Sequence, residues 1–118
     1  MKLSMVKELL DAEVLCCEEG LDGQAKNACG SDMMSDVLAF VKDQSILLTG
    51  LVNPQTVRTA QMMDIKYIVF VRGKRPDESV ISLAKENGIM IMATNYRLYT
   101  ACGLLYANGL CSEGVDKV

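Results

Sequence analysis

The 118-residue chain contains no histidine and no tryptophan. The missing imidazole removes Ser-His and Cys-His nucleophile pairs and the usual general base near neutral pH. It also removes most zinc and iron sites. Any catalysis would have to use carboxylates, lysine, or a metal held by oxygen ligands. Aromatic residues make up only 5 % of the chain, so aliphatic side chains and eight Met must fill the core. No apolar run approaches the roughly 18 residues that a membrane-spanning helix needs, so no membrane partner is expected. The amphipathic, acidic opening MKLSMVKELLDAE is wrong for a secretory signal, and the expected location is the cytoplasm. Neither a GxGxxG nor a GxxxxGK[ST] string occurs, which excludes the Rossmann fingerprint and the P-loop.

Positive charge is also in short supply. Twelve Lys and Arg stand against fifteen Asp and Glu, a net charge of −3. A nucleic-acid surface would need clustered basic residues, so none is expected. The five cysteines, Cys16, Cys17, Cys29, Cys102 and Cys111, are odd in number and form no CxxC pair. Reduced structural thiols fit this pattern better than a disulfide framework.

What the chain does have is apolar surface. Half its residues are hydrophobic, and the mean hydropathy is +0.18. Residues 1–111 are long enough to form one domain with its own core; residues 112–118 read as a flexible C-terminal tail. The apolar excess belongs in a fully covered sheet or in a homodimer interface.

Periodicity gives the order of elements. Ser4 reads as the cap of a short helix with Val6, Leu9 and Leu10 on one face. Val14–Cys17 and Ala25–Cys29 read as strands joined by an acidic turn, Glu18 to Gly23. That connection is shorter than the dozen or so residues a parallel crossover requires, so the first strand is antiparallel to its neighbour or lies apart from the second. Asp32 reads as the cap of a helix with the stripe Met34, Val37, Leu38 and Val41, closed by Asp43-Gln44. Ser45–Thr49 is apolar on both faces, as a covered parallel strand should be. Asn53-Pro54 opens a helix that buries Thr56, Ala60 and Met63.

Tyr67–Val71 reads as the central strand, ending at the basic turn Arg72-Gly73-Lys74-Arg75 before a helix opened by Pro76. That helix buries Val80, Leu83 and Ala84 and stops at Asn87-Gly88. Ile89–Ala93 is the fifth strand. Thr94 or Asn95 caps the last helix, where Gly103 marks a close helix approach. Strand and helix alternate four times from Ala25 onward. The fold class is therefore α/β: a five-stranded, mostly parallel (mixed) sheet with helices on both faces.

In such sheets ligands bind beyond the carboxyl ends of the strands. The candidate ligand-binding residues are Ser31, Asp32, Thr49, Gly50, Arg72, Gly73, Lys74, Arg75, Thr94 and Asn95. Strand ends also need turn and cap residues, and capping alone accounts for several of these. The basic turn is harder to explain in that way, because a helix N-terminus disfavours positive charge. It holds a phosphate or carboxylate, or it is a solvated turn neutralised by Asp77, Glu78 or a neighbouring chain. Asp32 and Asp36 lie one helical turn apart and could hold Mg²⁺, although a cap plus a solvated acid explains them as well. The pairs Met33-Met34 and Met62-Met63 read as core or interface filler.

Taken together, the segments resemble the DRTGG domain family. The resemblance rests on Lys2-Leu3-Ser4, on Glu13-Val14-Leu15, and above all on Ser31-Asp32-Met33-Met34-Ser35-Asp36-Val37-Leu38. Ile46-Leu47-Leu48-Thr49-Gly50, Val71-Arg72-Gly73 before Pro76-Asp77, and Gly88-Ile89 extend it over about residues 1–109. The resemblance implies a domain similar to the N-terminal domain of HPr kinase/phosphorylase. It also implies regulatory use and dimer formation, as in modules between CBS domains of pyrophosphatases, in phosphate acetyltransferases, and in stand-alone proteins. It supplies no catalytic residues. The literal Asp-Arg-Thr-Gly-Gly string is absent: Val71-Arg72-Gly73 stands in place of a Thr-Gly-Gly-like turn, and Leu51-Val52-Asn53 in place of an Asp-Arg pair.

Three functional expectations follow. The first is a non-enzymatic regulatory or ligand-sensing module, homodimeric, binding a nucleotide or small phosphorylated anion. The alternative is a pure interaction module that docks to itself or to a larger metabolic enzyme. A phosphotransfer accessory using Asp32 and Mg²⁺ is the third and least supported reading.

Overall fold

The computed structural model describes residues 1–40 and 45–111. Its elements run α1 (Leu3–Leu9), β1 (Glu13–Cys16), a short 3₁₀ turn (Glu18–Asp22), β2 (Asn27–Gly30), α2 (Met34–Phe40), β3 (Ser45–Thr49), α3 (Pro54–Met62), β4 (Tyr67–Phe70), α4 (Glu78–Glu86), β5 (Met90–Ala93) and α5 (Leu98–Ala107). The strands form one sheet in the order β1-β5-β4-β3-β2. Strands β2 to β5 pair in parallel. Strand β1 pairs antiparallel with β5, with Glu13 opposite Ala93. The short connection after β1 thus has the consequence expected of it: β1 and β2 end on opposite edges of the sheet, and β4 is central.

The parallel strands are apolar on both faces because both faces are covered. On one side Ile46, Leu48, Val69, Met90 and Met92 pack against Leu3, Val6 and Leu10 of the α1 segment and against Ala101 and Leu105 of α5. On the other, Leu47, Ile68, Phe70 and Ile91 pack against Met34 and Val37 of α2, Val57 and Ala60 of α3, and Val80 and Ala84 of α4.

Several helix starts differ from the sequence reading. No side-chain hydrogen bond from Ser4 or its neighbours caps α1, whose N-cap is Lys2. Helix α4 begins two residues after Pro76: Asp77 is its N-cap and accepts from Ser79 N and Val80 N. The Ser79 hydroxyl and these amides favour the ionised carboxylate and hold Asp77 below the ordinary range. Helix α5 begins at Leu98 with Arg97 as N-cap and no side-chain cap, so neither Thr94 nor Asn95 fills that role. Asn53 does cap α3, accepting from Thr56 N at 3.2 Å.

Side-chain placement differs in three helices. Leu38 of α2 is exposed rather than part of the buried stripe. Met63 is the C-cap residue of α3 and only half-buried, while Val57 and Thr59 are buried instead. Gly103 of α5 faces open space, with nothing near where a Cβ would stand, so no helix approaches it among the described residues. Val41, Asp43-Gln44 and the expected tail at residues 112–118 lie outside the described residues. In each methionine pair the first residue, Met33 or Met62, is exposed.

Candidate functional site at the carboxyl edge of the sheet

Because β2 to β5 are parallel and in register, their carboxyl ends lie along one edge. Asp32, just beyond β2, turns away from its own helix. Its Oδ1 accepts from Thr49 Oγ1 at 3.1 Å and from Gly50 N at 2.7 Å, tying β2 to β3. Its Oδ2 lies 3.6 Å from Arg72 Nη2. Asp32 is therefore a strand-end bracket and not the helix cap expected of it. Ser31 accepts from Met33 N at 3.0 Å and so serves the turn locally.

The basic turn is held by its backbone. Arg72 and Gly73 both adopt positive φ, +62° and +69°. Arg72 N donates to Tyr96 O at 2.7 Å, and Gly73 N donates to Thr94 O at 3.0 Å. A non-glycine residue in this region is uncommon and is retained where its surroundings fix it. Here the two hydrogen bonds to the loop after β5 do so. The turn thereby sends the Arg72 side chain back over Gly50 toward Asp32.

The acids that face the basic turn are not Asp77 and Glu78. Arg72 faces Asp32, and Arg75 forms an ion pair with Glu13 at the start of β1. Lys74 is exposed and without an ion-pair partner among the described residues. Thr94 is buried; its hydroxyl donates to Leu10 O at 2.6 Å and accepts from Tyr96 N at 3.2 Å. It fastens the end of α1 to the sheet edge.

Two larger depressions and a smaller one border Asn95; the smaller, of about 120 Å³, is lined by Leu10, Asp11, Thr94, Asn95 and Tyr96. A cleft of about 540 Å³ is lined by Arg72, Asn95, Arg97, Leu98 and Tyr99. A polar hollow of about 290 Å³ is lined by Asp11, Ala12, Glu13, Gly73, Arg75, Ala93 and Asn95. Of the ten expected residues, Arg72, Gly73, Arg75, Thr94 and Asn95 line these spaces, and Asp32, Thr49 and Gly50 position Arg72. Ser31 and Lys74 do neither. Asp11, Glu13, Arg97 and Tyr99 were not foreseen. A signal for Glu13 existed: a strand antiparallel to β5 must begin where β5 ends. No three His, Cys, Asp or Glu side chains cluster as a metal site among the described residues, and Asp32 is already engaged by Thr49, Gly50 and Arg72.

The exposed face of α5 adjoins the cleft. Tyr99 is 91 % exposed and Tyr106 is 56 % exposed. Together with Cys102, Gly103, Leu104 and Ala107 they border an open apolar groove of about 620 Å³. The helix carries no charged residue. Burial pushes the half-buried Cys102 thiol above its ordinary pKa.

No curated protein matches the chain. Among solved structures, the chain resembles the CBS and DRTGG domains of the regulatory region of Clostridium perfringens pyrophosphatase, complexed with its activator diadenosine tetraphosphate. The TM-score is 0.71 at 21 % identity, over 88 % of this chain and 45 % of that one, so this chain spans less than half of that structure and shares its fold. The model of the DRTGG domain matches residues 5–107, every element from within α1 to the end of α5, and the chain belongs to the DRTGG domain family.

Proposed function

We propose that this DRTGG domain is a regulatory module that senses a nucleotide or small phosphorylated anion at the carboxyl edge of its sheet. One observation carries the reading. The cleft beside Asn95 is lined by Arg97 and by Arg72, whose guanidinium faces Asp32, with no carboxylate in its lining among the described residues. Arginine suits phosphoryl oxygens because its planar fork donates two parallel hydrogen bonds. Arg97 forms no ion pair among the described residues, and Tyr99 sets an exposed ring beside both cations. The complex of the related pyrophosphatase region with a dinucleotide activator supports a nucleotide as the ligand class.

The test is calorimetric titration with AMP, ADP, ATP, acetyl phosphate and inorganic phosphate, alongside Arg97→Ala. At least one phosphorylated compound binds the wild type, and Arg97→Ala weakens it about tenfold or more, as expected for loss of a charge-assisted hydrogen bond. Absence of binding by every compound overturns the reading.

The groove on α5 favours a second role, self-association. Tyr99 and Tyr106 stand on either side of Gly103 on one uncharged helical face. A two-fold axis near Gly103 would let a second copy lay the same face across it, tyrosine against tyrosine, without opposing like charges. The domain then acts as a homodimeric module, alone in the cytoplasm or docked to a larger metabolic enzyme. Sedimentation at rising concentration should show a dimer, and Tyr106→Glu should return it to monomer. A wild-type monomer at high concentration removes this role.

A further inference from the structure

The two larger depressions meet at Asn95 and have opposite chemistry. On the Arg72–Arg97 side the charged lining is wholly cationic. On the other side the hollow offers two carboxylates, Asp11 and Glu13, and one guanidinium, Arg75, already paired with Glu13. The backbone of Asp11 sits at φ +46° in a turn closed by Asp11 N to Glu8 O at 3.2 Å and Ala12 N to Lys7 O at 3.0 Å, which fixes where its exposed side chain starts. Arg75 engages Glu13 Oε1, which fixes that carboxylate and leaves Oε2 to accept. Gly73 lines the hollow beside Asn95, where a Cβ would stand in van der Waals contact, 3.4 Å from Asn95 Oδ1.

We infer that the ligand is a phosphorylated sugar, as in a ribonucleotide, that spans Asn95: its phosphoryl oxygens lie on Arg72 and Arg97, and its sugar hydroxyls donate to Asp11 and Glu13. The inference rests on the anion reading of the Arg72–Arg97 cleft and adds the organic half of the ligand. A carboxylate accepts hydrogen bonds from two vicinal hydroxyls, whereas it repels a second phosphoryl group. The hollow therefore selects a neutral, donor-bearing group next to the anion and disfavours a bare polyphosphate chain that reaches across. The Asn95 amide, which carries both donors and an acceptor, can serve either half.

The experiment is calorimetric titration of the whole chain with ATP, 2′,3′-dideoxy-ATP and inorganic triphosphate, repeated on Asp11→Ala, Glu13→Ala and Arg97→Ala. Asp11 and Glu13 are both exposed, and thermal melts check that each variant is folded. The expected result is that ATP binds about tenfold or more tightly than either analogue, a gap equivalent to at least one hydrogen bond to a charged group. Asp11→Ala or Glu13→Ala closes that gap, while Arg97→Ala weakens all three ligands. Equal binding of ATP and dideoxy-ATP, with the loss in Arg97→Ala intact, overturns this inference and leaves the anion reading standing. Binding of none of the three overturns this inference, and the anion reading falls with it when AMP, ADP, acetyl phosphate and inorganic phosphate fail to bind as well.

Discussion

The guanidinium of Arg72 occupies the space that a side chain at position 50 would need. A Cβ built on Gly50 would stand 2.7 Å from Arg72 Cζ. Position 50 is glycine because Arg72, at the neighbouring strand end, covers it, and Arg72 is held there by a left-handed backbone and by Asp32.

Gly50→Ala should therefore act through Arg72. The methyl group pushes the guanidinium off the strand end and breaks its approach to Asp32. Both partners of that ion pair are more than a third exposed, so its loss costs at most about 1 kcal/mol. The larger effect is on the site: anion binding should fall about tenfold when Arg72 is displaced. Adding Arg72→Ala should cost little further stability, because the two changes remove one contact. Denaturant unfolding of both single variants and the double variant measures that coupling.

Substitutions at Asp32 separate its hydrogen bonds from its charge. Asp32→Asn keeps an acceptor for Thr49 Oγ1 and Gly50 N and loses only the exposed pair with Arg72. It should cost no more than about 1 kcal/mol. Asp32→Ala leaves the hydroxyl of fully buried Thr49 and the Gly50 amide without that acceptor. It should cost about 1–3 kcal/mol. Urea midpoints of equal size for the two variants would show that the bracket contributes nothing beyond charge.

Thr59 offers a gain. It is fully buried in α3, and its Oγ1 is the buried side-chain oxygen without a hydrogen-bond partner among the described residues. Thr59→Val replaces that hydroxyl with a methyl of similar size and removes a desolvation penalty. Stability should rise by about 1 kcal/mol, seen as a melting point a few degrees higher. An unchanged or lower melting point would mean that the hydroxyl is satisfied after all.

The legible and illegible parts of this protein divide along a physical line. Strands β3, β4 and β5 are continuous apolar runs and helices recur with the 3.6-residue period, so the layered sheet follows from local patterning. The short segment between Cys17 and Ala25 even separated β1 from β2. Caps were less legible because Ser, Thr and Asp can turn to another element of the fold instead of their own helix. Asp32 and Thr94 both did so, reaching Thr49 and Leu10. Half the site was hidden for a related reason: Asp11 and Glu13 come from the first turn of the chain and meet Gly73 and Asn95 only through the antiparallel pairing of β1 with β5.

Cys16 provides a pH prediction whose sign is fixed by burial. The thiol is 6 % exposed, and its Sγ donates to Ile89 O at 3.3 Å. Burial, with a smaller contribution from adjacent Cys17, raises its pKa from 9.0 to about 11. Between those values the unfolded chain gives up a proton that the folded chain keeps. The unfolded state then binds fewer protons, so stability falls as pH rises. This contribution is fully present below pH 9 and is lost as pH rises through about 11. Cys16→Ala removes the group and costs about 1 kcal/mol for a small lost contact at neutral pH. The stability gap between wild type and Cys16→Ala should be constant up to pH 9, then shrink and change sign between pH 9 and about 11, because the pKa difference outweighs the small lost contact. A gap that stays constant through pH 11 would mean that the Cys16 thiol ionises as readily folded as unfolded.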